Sequence, residues 1–193
     1  LPYAVAGKIV LSPDGKKIAC IAAKEGKHFL VVSLWESPAQ GKETGPYEEI
    51  ASPVFVPGST TVVCLALKKG KWRIVVGGKE GGANYNSVGD APVFSPDGAI
   101  IAYPAMKGGH QDRRGVIGGK WVMVVSDVGK PAAAKEGLAY DMVVSPVFSP
   151  DGKYIAYRAR TGTMKQAKRF IVIADAKTGK VIKEGHVSEE IWP

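Results

Sequence analysis

Cysteine and histidine are scarce: 193 residues hold two Cys and three His. Cys20 and Cys64 do not combine with the widely separated His28, His110 and His186 into any zinc-binding spacing. GxSxG, HExxH and Walker phosphate-loop patterns are also missing, so an enzyme reading has little to stand on, and neither a metal nor another cofactor is expected. No window reaches the eighteen or so uninterrupted apolar residues of a membrane span. The first ten residues lack the charged start and long apolar run of an export signal. The chain opens on Leu1 rather than Met, which suggests a processed or excised segment from which such a signal has been removed. Long helical stretches are lacking too, because 24 Gly and 13 Pro are spread along the chain among Val, Ile and Tyr.

What is present is a composition that folds: 45% hydrophobic and 23% charged residues can bury a core. The punctuation is that of many short strands joined by tight turns. Lys and Arg outnumber Asp and Glu by 26 to 18, giving a net charge of +8. Such a balance attracts an anionic partner such as nucleic acid, acidic glycan or lipid headgroup. Many of the lysines, however, lie in turns (Lys16, Lys17, Lys42, Lys68, Lys69, Lys79, Lys153), where solvated charge keeps a strand-rich protein soluble.

The strongest signal is internal repetition. PVFSPDGAIIAY from Pro92 returns as PVFSPDGKYIAY from Pro146, and looser copies begin with IVLSPDGKKIAC at Ile9 and PVFVPGSTTVVC at Pro53. The turn prolines Pro13, Pro57, Pro96 and Pro150 are 44, 39 and 54 residues apart. Each repeat breaks into four strand-like pieces, the last of them near a tyrosine: PYEEIASP, NYNSVGDAP and AYDMVVSP. Four antiparallel strands repeated about an axis make an all-β protein, a β-propeller of four four-stranded blades over residues 7–52, 53–91, 92–145 and 146–193. The whole chain is read as one propeller domain.

The aromatic-Ser-Pro-Asp-Gly-spacer-Ile-Ala-Tyr pattern resembles the TolB-type, WD-like β-propeller repeat, complete at 94–103 and 148–157 and degenerate at 11–20 and 55–64. The resemblance implies the fold and, by analogy, an exported or cell-envelope setting, periplasmic or extracellular. It leaves the function open among protein binding, glycan binding and gating of a peptidase. The motif itself is a turn device: Pro presets φ, Asp accepts backbone N–H groups, and Gly supplies a positive φ. A ring of four carboxylates is excluded, because the second repeat has Pro57, Gly58 and Ser59 with no Asp. Cys20 and Cys64 take the place of Tyr103 and Tyr157. Equivalent sites on stacked sheets lie about 10 Å apart, too far for a disulfide, so two free, buried thiols are expected.

Departures from the repeat point to function. Between second and third strands the first two repeats have the short turns AAKEGK and ALKKGK, whereas the third has MKGGHQDRRGVIGGK and the fourth RARTGTMKQAKR. These two segments carry Lys107, His110, Arg113, Arg114, Arg158, Arg160, Lys165, Lys168 and Arg169, opposed within them only by Asp112. By the resemblance they share the end of the propeller that surrounds the central channel. Arg113 and Arg114 offer planar forks to carboxylate or phosphate. The alternative is a solvated hairpin neutralised by Asp112, Glu48, Glu49 and Asp90. Trp72 and Trp121 share one repeat position with His28 and Arg169, and either stack on a sugar or peptide or pack on a neighbouring blade. Trp35 is expected to shield the loop that follows it, and Trp192 ends the chain where another repeat would begin.

The leading expectation is a noncatalytic scaffold that binds a protein or peptide partner at this loop-bearing end. A glycan- or polyanion-binding module and an accessory propeller of a peptidase are the alternatives. Four units could close as a ring, belong to a longer propeller, or form a larger ring as a homodimer.

Overall fold

Alternating Val, Ile, Ala and Tyr between glycine-bearing turns suits pleated, buried strands. The computed structural model describes residues 4–5, 7–112, 115–162 and 166–187, and in them the chain forms eighteen strands and one 3-10 turn, Pro131–Ala133. The chain divides into two compact units, 1–84 and 85–193.

The first unit holds two sheets. One comprises β1 (Ala4–Val5), β2 (Val10–Leu11), β3 (Lys17–Lys24), β4 (Lys27–Leu34) and β5 (Ser37–Tyr47); the other β6 (Glu49–Phe55), β7 (Val62–Lys68), β8 (Lys71–Val76) and β9 (Lys79–Glu80). In the second unit, β10 (Ser87–Val88), β11 (Val93–Phe94), β12 (Ile100–Asp112), β13 (Gly115–Asp127) and β14 (Lys135–Tyr140) form the third sheet. β15 (Met142–Phe148), β16 (Tyr154–Thr161), β17 (Lys168–Asp175) and β18 (Val181–Val187) form the fourth. Neighbouring strands are antiparallel and follow chain order. β1 with β2, and β10 with β11, are two pieces of one first strand, both paired to the same second strand. In the other two sheets that strand stays whole but bulges beside Ser52 and Ser145, which adopt φ of 51° and 55° before a proline.

The structure corrects the expected fourth strands. β5 and β14 end at Tyr47 and Tyr140, and most of PYEEIASP and AYDMVVSP starts the next sheet, Glu49 pairing with Leu67 and Met142 with Arg160. The fourth strands proper come earlier. Each carries a Lys-Glu dipeptide, Lys42-Glu43, Lys79-Glu80, Lys135-Glu136 or Lys183-Glu184, and each Glu lies opposite an equivalent third-strand valine: Val31, Val75, Val124 or Val172.

Register confirms the repeat alignment. Cys20, Cys64, Tyr103 and Tyr157 lie opposite those same four valines. Both cysteines are free; Cys64 is buried, whereas Cys20 is only half-buried, short of the expectation for it. Burial pushes the Cys64 thiol up to about 12, which keeps it protonated and inert.

Within each unit one sheet face packs on the next sheet. In the first, Ala19, Ile21 and Leu30 meet Val62, Cys64, Ala66 and Val75. In the second, Ala102, Met123 and Val125 meet Ile155, Tyr157, Ala159 and Val172. Phenols add hydrogen bonds, across the sheet pairs at Tyr47 and Tyr140 and within the third sheet at Tyr85. The Tyr85 hydroxyl donates to Glu136 at 3.1 Å, Tyr140 donates to Glu184, and Glu80 lies within hydrogen-bonding reach of Tyr47.

The Ser-Pro-Asp-Gly segments are turns, as the sequence indicates. Ser12 donates to Asp14 (2.6 Å), Ser95 to Asp97 (2.5 Å) and Ser149 to Asp151 (2.6 Å). The same carboxylates accept the N–H of Lys16, Ala99 and Lys153. Gly15, Gly98 and Gly152 take φ of 70°, 69° and 70°.

Candidate partner-binding end of the third and fourth sheets

The long basic segment of the third repeat is an extension of two strands rather than a loop. β12 and β13 stay paired beyond Met106 and Trp121, through Lys107–Lys120 and Gly108–Gly119 to His110–Ile117 and Asp112–Gly115. The lateral neighbours stop earlier: β10 reaches Met106 and β14 reaches Trp121. The hairpin therefore continues for six residues a strand without a flanking strand among the described residues, a projection of about 20 Å. Gly108, Gly109 and Gly118 have φ of 69°, 78° and 76°, and a Cβ at Gly119 would collide with Met106, so glycine is what lets the ladder continue. Arg113, Arg114 and Lys165 lie outside the described residues, as does Trp192. His110 and Asp112 are placed on the paired arms by their backbones.

The base of the hairpin is held by charge. Lys107 Nζ lies 2.8 Å from Glu136, the carboxylate that also accepts the Tyr85 hydroxyl. Lys120 Nζ donates to Asp141 at 2.5 Å, and the other oxygen of Asp141 accepts the N–H of Gly162 at 2.8 Å. Lys120 above all, with the Gly162 N–H, holds the Asp141 carboxyl below its ordinary value. Asp141 thus joins the hairpin base of the third sheet to the β16–β17 connection of the fourth. The expected acidic neighbours act elsewhere: Glu48 accepts the N–H groups of Lys69 and Gly70, and Asp90 that of Ser145.

Arg158, Arg160 and Arg169 sit on strands, not in the connection between them. Arg160 lies directly opposite Arg169, and Arg158 is two residues along on the same face of β16, its Nη2 donating to Ser145 at 3.0 Å. The result is a half-buried row of guanidinium groups on the face of the fourth sheet turned away from the third. Lys168 pairs with Thr161 at the end of the same ladder.

Trp72 and Trp121 occupy one register position, opposite Leu67 and Met106, and both are half-buried. Trp121 packs against the core of the second unit, which favours packing over an exposed stacking surface. Trp35 is 62% exposed. Sequence reading missed the fourth-strand glutamates that anchor Lys107 and the phenols; the Lys-Glu dipeptide repeated four times was the signal. Among the described residues, no group of three or more His, Cys, Asp or Glu could hold a metal ion. No helix among them is long and apolar enough to cross a membrane.

No protein-family model and no curated sequence matches the chain. Solved structures do. TolB from Acinetobacter baumannii aligns over 96% of this chain and 44% of its own length, at 18% identity and a TM-score of 0.54. An acylaminoacyl peptidase aligns over 97% of this chain and 33% of its own (12% identity, TM-score 0.59), and the tricorn protease over 82% and 17% (16% identity, TM-score 0.51). The fold is a β-propeller. Its four antiparallel sheets are blades, and the chain spans less than half of the TolB it resembles. At these identities the likeness establishes fold alone.

Proposed function

We propose that this chain is a noncatalytic propeller scaffold that binds a protein or peptide partner at the end of the third and fourth blades bearing the β12–β13 hairpin. The observation that carries this reading is the hairpin itself. Beyond Met106 and Trp121 it presents backbone edges with no flanking strand among the described residues, and an extended peptide can add to such an edge as a further strand. Lys107 and Lys120 fix its base to Glu136 and Asp141, so the arm rises from a positioned support, as binding segments on rigid scaffolds do. The noncatalytic part of the reading rests on the sequence, which carries no GxSxG, HExxH or Walker phosphate-loop pattern.

The arginine row of Arg158, Arg160 and Arg169 favours an anionic surface on that partner, and a polyanion or acidic glycan is the second reading. The peptidase neighbours give a third, an accessory propeller beside a hydrolase.

The deciding experiment shortens residues 107–120 to the LKKGK-type turn of the second repeat and measures capture of partners from a lysate of the source organism. Loss of a specific protein with unchanged melting supports the proposal. Equal capture by both forms removes the hairpin from the site. Capture that falls steeply with salt and is abolished by nuclease or glycosidase supports the polyanion reading instead.

A further inference from the structure

At the opposite end of the blades, beside the Ser-Pro-Asp-Gly turns, each unit has a groove between its two sheets. The groove of the second unit holds carboxylates beside its lysines: Lys130, Lys135 and Lys177 share it with Asp97 and Asp127. The groove of the first unit encloses about 380 Å³, and no carboxylate lines it.

Register shows how this difference arises. Lys42 and Lys135 are equivalent, opposite Val32 and Val125. Lys17 stands where the third repeat has Ile100, since the pairs Lys17–Leu34 and Ile100–Asp127 coincide. By the same pairs Leu34 stands where the third repeat has Asp127. Gly78 of the second repeat replaces Asp175 of the fourth, each three residues beyond the equivalent valines Val75 and Val172. Lys17 and Leu34 therefore add one ammonium and remove one lining carboxylate, and with Asp14, the counterpart of Asp97, outside the lining, Lys17 and Lys42 have no carboxylate beside them in the groove. Gly78 also keeps it open, because a Cβ there would come within 3.1 Å of Thr44 Oγ1.

The rest of the lining is suited to hydroxyl groups. Thr44, Thr60, Thr61 and Gln40 offer donors and acceptors over a floor of Leu30, Val32 and Val62. Lys17 Nζ uses one donor on Thr60 Oγ1 at 3.2 Å, which leaves an ammonium two more. Compact ammonium charges, neutral hydrogen-bonding groups and an apolar floor match a ligand with one carboxylate, several hydroxyls and an apolar ring face, in a cavity of ordinary ligand size.

We propose that this groove binds a small hydroxylated carboxylate of the sugar-acid class, separately from any partner on the hairpin end. The experiment is titration of the ¹⁵N-labelled chain at low ionic strength with D-glucuronate, D-glucose and inorganic phosphate. Glucuronate is expected to shift the amides of Lys17, Lys42, Thr44, Thr60 and Gly78 saturably. Glucose should leave them unmoved, and phosphate should bind at least about tenfold more weakly, because it can use the charges but not the floor. Leu34→Asp restores the carboxylate of the repeat at an exposed position, and Lys17→Ile restores its apolar residue; each should weaken glucuronate by about tenfold while the chain melts as before. A diuronide run in parallel separates the end of an acidic glycan from a free sugar acid, the tighter ligand marking the source. Absence of saturable shifts, equal binding of glucose, phosphate binding as tight as glucuronate, or full affinity in both variants overturns the assignment. None of these outcomes bears on the hairpin deletion.

Discussion

Asp14, Asp97 and Asp151 each accept a serine hydroxyl first and a backbone N–H second, and their carboxyls are held below the ordinary value for that reason. Asp175 does the same with the hydroxyl and N–H of Thr178. A carboxyl depressed in the folded chain stabilises it above the unfolded value, 3.8 for Asp, and that contribution is lost as pH falls through the lower folded value. The melting temperature should therefore be flat near neutrality and fall below about pH 4. Asp97→Asn with Asp151→Asn should flatten the fall, and an unchanged acid slope in a calorimetric pH series would remove these turns as its cause. The Tyr140 hydroxyl, bonded to Glu184, permits a sharper test: Tyr140→Phe should cost about 1–2 kcal/mol and lower the melting temperature by about 2–8 °C. The turn roles were legible in Ser-Pro-Asp-Gly because their bonds are local. The phenol–glutamate bonds were not, since Tyr85 and Glu136 are 51 residues apart and only register brings them together.

Among the elements, the β12–β13 hairpin departs most from what its residues suggest. Gly108, Gly109, Gly118 and Gly119 read as breakers, yet each permits a backbone position that a side chain would block or strain. Gly119→Val should force Met106 aside and cost about 1–3 kcal/mol, measurable by denaturant unfolding, whereas deleting the arm beyond Lys107 and Lys120 should cost less than that single substitution. Length and charge of this segment were legible; its strand character was not, because periodicity fails where glycines interrupt it. Arg158, Arg160 and Arg169 were placed in a loop for the same reason, and pairing with Met142 and across β16–β17 moves two of them to a ladder directly opposite each other.

For the whole molecule, repeat equivalence exposes a difference in environment. Leu30, Ile74 and Met123 are at most 2% exposed, while Ile171, at the same register position in the fourth blade, is 47% exposed. Met123→Ala should cost about 2–5 kcal/mol and Ile171→Ala well under 1 kcal/mol; equal losses in urea unfolding would show that the outer face of the fourth blade is covered in solution. Sequence alone identified the four blades because each repeats the same alternation. It could not distinguish these four positions, since burial depends on which neighbour lies over the sheet rather than on the residue itself.

Tyr47 and Tyr140 close the last strand of one blade and reach the glutamate of the next. Neighbouring blades are thereby coupled energetically as well as packed, and in a linear array such nearest-neighbour terms decide which segments melt together. Within each unit unfolding should accordingly be concerted, both blades losing hydrogen-exchange protection at one free energy, so that each unit opens as a pair of blades rather than blade by blade.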